Sequence, residues 1–130
     1  MQQRIALSTI VVHDYDDAIN FFVDVLGFTL IEDTKLDNDG KRWVVVAPAK
    51  STGSSLLLAK ADGEQQLKAI GNQTGGRVAF FLYTDNCLRD FEYYKSKGVV
   101  FVREPITEEY GTVAVFEDIS GNLWDLIGPS

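Results

Sequence analysis

Few side chains in this 130-residue chain are equipped for bond-making chemistry, since it has one histidine, His13, and one cysteine, Cys87. Paired histidines are therefore impossible, and neither a Ser-His-Asp pattern nor a glycine-rich phosphate loop leading into a helix is present. His13 closes an apolar run and reads as a solvated strand-end residue. Cys87 falls on the inward side of a helical segment, where a thiol packs as a small hydrophobe rather than serving as a nucleophile. The group that stands out is Asp125, within Leu123-Trp124-Asp125-Leu126-Ile127. Two-residue alternation puts its carboxylate on one side with Leu123 and Ile127, opposite Trp124 and Leu126. A carboxylate on an apolar wall orients a ligand or accepts a substrate proton. Alternatively it pairs with an arginine such as Arg42, Arg77 or Arg103, or accepts a neighbour's hydrogen bond.

Such a residue needs a scaffold, and the composition supplies one. Hydrophobic residues make up 45% of the chain and charged residues 24%, as in an ordinary globular protein. A chain of this length forms one domain, residues 1–130, burying roughly two-thirds of the surface its unfolded form exposes. The net charge of −7, with no run of Lys or Arg, argues against nucleic acid and anionic membranes as partners. A lone cysteine permits no intrachain disulfide and suits a reducing compartment. Met-Gln-Gln-Arg passes directly into a strand-like run, and no apolar stretch approaches the ~20 residues of a membrane helix. A cytoplasmic location is expected.

The elements repeat. Ile10-Val11-Val12, Asp14, a helical segment with Phe21 and Phe22, and Leu26-Gly27-Phe28 recur as Phe80 to Tyr83, Asp85, a helical segment with Phe91 and Tyr94, and Lys97-Gly98-Val99. The offset is 71 residues, mapping Asp14 to Asp85 and Gly27 to Gly98. Inside the helices the apolar faces (Ala18, Phe22, Val25 against Cys87, Phe91, Tyr94) fall out of step with this offset. Acidic residues at 14, 16 and 17 mark a helix start, and Gly27 a left-handed stop. Strands are predicted over 5–12, 28–36, 41–47 and 54–60, with a turn at Asp37-Asn38-Asp39-Gly40. In the second copy strands are predicted over 78–83, 99–103, 112–117 and 123–127, and a helix over 86–96. Each copy reads strand, helix, strand, strand, strand: module one spans about 4–60 and module two about 77–130. The polar link over 61–76 has room for a short helix over 65–70.

These landmarks, with Tyr110-Gly111, Val115-Phe116-Glu117-Asp118 and Gly121 to Leu126, resemble the vicinal oxygen chelate superfamily of glyoxalase I, extradiol dioxygenases and bleomycin-resistance proteins. The resemblance covers nearly the whole chain. It implies an α+β fold of tandem βαβββ modules, a mixed sheet curled around a concave cleft, and a divalent metal held by one residue from each of four strands. It implies a homodimer as well. Carried onto this sequence, the four metal positions are Leu7, Leu57, Val78 and Asp125, and three of them offer no donor atom. One carboxylate does not make a site for Fe²⁺, Zn²⁺ or Ni²⁺. His13 lies about 20 Å along the strand from Leu7 at ~3.3 Å per residue. No metal and no cofactor are expected.

Alternation places Thr9, Val11 and His13, Ser55 and Ala59, and Phe80, Leu82 and Thr84 on the cleft side. Trp43 and Phe116, in the third strands of the modules, are candidates to stack on a flat ligand or else are plain core. The ligand-binding set is accordingly Asp125, Trp43, Phe80, Phe116, Thr9, Leu7, Leu57 and Val78. Two functions follow: a metal-free protein holding an apolar or aromatic small molecule, which Leu7, Leu57 and Val78 favour, or a glyoxalase- or dioxygenase-type enzyme with an atypical or absent metal site. A cleft filled by its own side chains or by a partner subunit is the third outcome.

Overall fold

In a computed structural model covering Met1–Ser130, the chain divides into two units, Met1–Ile70 and Gly71–Ser130, each built as strand, helix and three strands. The first holds β1 (Leu7–Val12), α1 (Tyr15–Ile19, continued by a π-helix over Asn20–Val25), β2 (Thr29–Lys35), β3 (Arg42–Ala47), β4 (Ser55–Lys60) and a short α2 (Glu64–Ala69). Its strand order is β1-β4-β3-β2, with β1 and β4 parallel and the other pairs antiparallel. Asp14 caps α1 by accepting a 2.9 Å hydrogen bond from the Asp17 N–H. Ala18, Phe22 and Leu26 of this helix segment are buried, as are Ile10, Val12, Val44, Val46, Leu56 and Leu58 of the strands. Phe22 is fully buried, which contributes about 1.5–3 kcal/mol relative to an exposed ring. Arg42 ties strands to helix: its guanidinium reaches both Asp33 oxygens at 3.0 and 2.7 Å and Asp16 at 2.9 Å. It also lies 5.0 Å over the Tyr15 ring, and its hydrogen bond holds the Asp33 carboxyl below the usual carboxylate range.

The second unit holds β5 (Phe80–Tyr83), α3 (Cys87–Ser96), β6 (Phe101–Glu108), β7 (Gly111–Glu117) and β8 (Leu123–Gly128), ordered β5-β8-β7-β6. β5 and β8 are parallel; the rest are antiparallel. Its core is aromatic. Phe116 stacks on Trp124 at 5.6 Å between centroids, Phe80 lies 4.6 Å from Trp124, and Tyr94 of α3 sits 6.0 Å from Phe116. β6 runs past Arg103 to Glu108, further than its sequence predicts. Pro105 is accommodated because β6 is an edge strand and the proline falls in a register break between Arg103 and Ile106.

One helix carries an extra residue. α1 begins as α-helix over Tyr15–Ile19 and continues as π-helix over Asn20–Val25, where the Leu26 N–H donates to Phe21 O at 2.9 Å, five residues back. α3 has no such stretch. Its cap is Asn86, whose Oδ1 accepts from the Arg89 N–H at 3.0 Å, as Asp14 accepts from Asp17. The caps therefore correspond at an offset of 72, Asp14 to Asn86, while the helix-ending glycines, Gly27 (φ 81°) and Gly98 (φ 91°), correspond at 71. The mapping of Asp14 to Asp85 is corrected, and the extra residue between cap and glycine in the first helix is taken up by the π segment. Ahead of the helix the same residue shifts β5, and a one-residue shift reverses the face of every strand side chain.

Candidate functional site

Register, strand by strand, sets which residues lie side by side on the sheet face turned away from each helix. In the second unit Phe81 pairs with Asp125, Asp125 with Val115, and Val115 with Arg103. This row crosses all four strands. The adjacent row, Phe80, Trp124, Phe116 and Phe101, belongs to the aromatic core, so the Asp125 row faces the other way. In the first unit the corresponding row is Thr9, Leu57, Val45 and Glu32.

Both rows end on a bulge. In β2 the register steps from Leu30 to Glu32 with Ile31 left over, and in β6 from Phe101 to Arg103 with Val102 left over. Without the extra residue Arg103 would sit opposite Ala114 and turn toward the helix. The bulge instead sets it opposite Val115 and on the Asp125 side. Glu32 accepts a hydrogen bond from Thr34 Oγ1 at 2.9 Å.

Asp125 is half-buried, and neither a side-chain hydrogen bond nor an ion pair holds its carboxylate. Burial pushes its pKa up, and the positive charge of Arg103 partly opposes that rise. Around it on the same face lie Leu123, Ile127, Phe81 and Tyr83; Phe81 is 62% exposed and Tyr83 78%. The result is an apolar, aromatic surface with one acceptor and one flanking cation.

The expected site residues divide. Leu7, Thr9 and Leu57 lie on the face away from α1, in register with β4 or β1, and Trp43, two residues from Val45, shares that face and is 36% exposed. Phe80 and Leu82 do not reach the expected cleft side: they are paired with Trp124 and Leu126 and turn to the helix side. Thr84 bonds the α3 cap region, donating to Asp90. Phe116 is fully buried in the aromatic core and is no ligand platform. Val78 precedes β5. The register position of Leu7 falls instead to Ala79, whose N–H donates to Leu123 O at 2.8 Å. His13 is exposed at the end of β1, and buried Cys87 donates its thiol to Leu126 O at 3.4 Å. Burial pushes that thiol up, away from nucleophilic use. Phe81 is absent from the expected ligand-binding set, and Arg103 enters only as one of three arginines that could pair with Asp125. Matching the two cap boxes, Asp14 with Asn86, is the sequence signal that would have found Phe81; the bulge behind Arg103 leaves no such signal.

Comparison with known proteins fits this architecture. The profile of the Glyoxalase/Bleomycin resistance protein/Dioxygenase superfamily matches residues 4–126. The chain belongs to that superfamily. An uncharacterized protein of Shewanella frigidimarina (strain NCIMB 400) is 54% identical over 127 residues, covering 98% of this chain and 94% of the relative. Among solved structures, UcmS2 superposes with a TM-score of 0.84 at 31% identity, covering 98% of each chain. TnmS3, an antibiotic binding protein from Streptomyces sp. CB03234, superposes with a TM-score of 0.78 at 27% identity, over 99% of this chain and 98% of that one.

The superfamily's metal positions can now be tested on these side chains. Leu7, Leu57 and either Val78 or Ala79 carry no donor atom, leaving Asp125 as the only oxygen ligand. Nowhere do three His, Cys, Asp or Glu side chains come together as a metal-holding group. This donor set does not fit a divalent ion, which needs three or four such ligands. A separate depression of about 580 Å³ in the first unit, bordered by Asp37, Asp39, Lys41, Lys60 and Asp62, is polar and contains none of these positions.

Proposed function

We propose that this superfamily member is a metal-free binding protein that holds an apolar or aromatic small molecule against the helix-averted sheet face of its second unit, with Asp125 as its polar anchor. The observation that carries the reading is a half-buried carboxylate with no side-chain partner of its own, set among Leu123, Ile127, Phe81 and Tyr83. Leu7, Leu57 and Trp43 lie on the corresponding face of the first unit. TnmS3, a structural relative at 27% identity, is named as an antibiotic binding protein, and this supports a small-molecule ligand over a macromolecular one. No helix is long and apolar enough to cross a membrane. A buried free thiol fits work in a reducing, cytoplasmic setting.

The test is a titration of aromatic and polycyclic compounds, antibiotics included, followed by calorimetry on wild type and Asp125→Asn. A ligand that donates a hydrogen bond or carries positive charge is expected to lose ~1.5–3 kcal/mol, one to two orders of magnitude, in the variant. Affinity unchanged in Asp125→Asn but lost in Phe81→Ala would make the carboxylate a bystander. The working form is taken to be a homodimer, by family resemblance; sedimentation should give twice the 14.5 kDa chain mass, and a monomer at micromolar concentration would refute it.

A further inference from the structure

We propose that the row Phe81, Asp125, Val115 and Arg103 selects neutral, planar ligands that carry a hydrogen-bond donor beside an acceptor, of which an aromatic primary carboxamide is the simplest case. The proposal rests on the small-molecule reading above and names the chemistry its ligand must show.

The geometry carries it in three steps. First, Arg103 and Asp125 lie on the same face with one strand between them, so their backbones are about 9–10 Å apart at ~4.8 Å per strand spacing. They form no ion pair across that gap. The floor between them is Val115, which offers no polar side-chain atom. A group lying over Val115 therefore meets a guanidinium, which only donates, on one side and a carboxylate, which when ionised only accepts, on the other. Second, the pairing discriminates by charge. A cationic ligand gains from Asp125 and loses to Arg103; an anionic one gains from Arg103 and loses to a carboxylate that burial has already made costly to ionise. A neutral group with C=O toward Arg103 and N–H toward Asp125 satisfies both. Third, Phe81, adjacent to Asp125 in the ladder and largely exposed, gives a flat apolar surface on which an attached ring can lie.

The first unit sharpens the contrast. Its equivalent row, Thr9, Leu57, Val45 and Glu32, is built on the same bulge but has Leu57 in the place of Asp125 and Glu32 in the place of Arg103, and Glu32 already accepts from Thr34. Of the two equivalent rows, only that of the second unit carries a cation beside a carboxylate. Arg103 is in this view a specificity-determining residue, placed by the Val102 bulge.

The experiment uses three probes with one ring system: 2-naphthamide, 2-naphthoate and 2-naphthylmethylamine, titrated at pH 7 into the full chain by calorimetry. Wild type is expected to bind the amide about tenfold more tightly than either charged probe. In Arg103→Met the order should change so that the amine rises to or above the amide, and in Asp125→Leu the naphthoate should do so. Arg103 is exposed, so its substitution leaves the fold in place. If the probes bind but their order is the same in all three proteins, or a charged probe leads in wild type, the selectivity proposal is wrong while small-molecule binding stands. If none of the probes binds and the wider compound titration also finds no ligand, both readings fall together.

Discussion

Replacing Asp118 with alanine removes the carboxylate on which the turn between β7 and β8 converges. Its Oδ1 accepts from the N–H groups of Ser120, Gly121 and Asn122 at 2.9, 3.1 and 3.0 Å. Its Oδ2 accepts from Asn122 Nδ2 at 3.1 Å and Trp124 Nε1 at 3.0 Å. Asp118, Asn122 and Trp124 are all buried, so water does not take over the freed donors. Each buried donor left unpaired costs about 1–3 kcal/mol, so the Trp124 indole and Asn122 main chain alone give a loss of ~2–6 kcal/mol. That is a large share of the roughly 5–15 kcal/mol by which a domain is stable. Asp118→Asn keeps one oxygen for the turn but points an amide N–H₂ at two donors, and is expected to cost ~2–3 kcal/mol. Trp124→Phe removes one of those donors. A double-mutant cycle between Asp118→Asn and Trp124→Phe should therefore show a coupling of about 1–2 kcal/mol. The assay is urea unfolding followed by far-ultraviolet circular dichroism, with the midpoint shifted and the slope unchanged. If Asp118→Asn lies within about 0.5 kcal/mol of wild type, the carboxylate is not the hub the distances describe.

Phe80→Ala should cost ~3–5 kcal/mol, or somewhat less because the ring is only half-buried, whereas Phe81→Ala should leave stability nearly unchanged and weaken ligand binding; the reverse pattern in thermal melts would return β5 to its other face. For Asp125 the folded-state pKa is raised, so the folded chain binds the proton more tightly than the unfolded one and ionisation subtracts stability above that pKa. Asp125→Asn is accordingly expected to be as stable as wild type or more so at neutral pH. Its advantage should fade as pH falls through the carboxyl range; a melting-temperature difference independent of pH would contradict the assignment. Buried Cys87 should resist iodoacetamide in the native protein and react on unfolding in urea, and native labelling visible by mass spectrometry would place the thiol elsewhere.

Much of the fold was written locally. Asp14 and Asn86 are cap residues, Gly27 and Gly98 adopt positive φ that a side chain resists, and the strands between them alternate or run apolar. Those signals act within a few residues, and they were enough for two βαβββ modules and for the side on which Asp125 lies. The face of β5 was harder because Asp85 and Asn86 are both good caps, and choosing the wrong one moves the strand by a residue and turns Phe80 out in place of Phe81.

By itself the amino-acid order determined the duplication and the presence of one carboxylate among apolar neighbours in β8. The neighbour that gives this carboxylate its chemical setting was decided only in three dimensions. Arg103 stands 22 residues from Asp125 along the chain. Two antiparallel registers and one extra residue at Val102 bring them onto a single row. A bulge is a backbone accommodation between paired strands, and side-chain types state it only weakly. Strand pairing therefore had to exist before the charge of Arg103 had a direction.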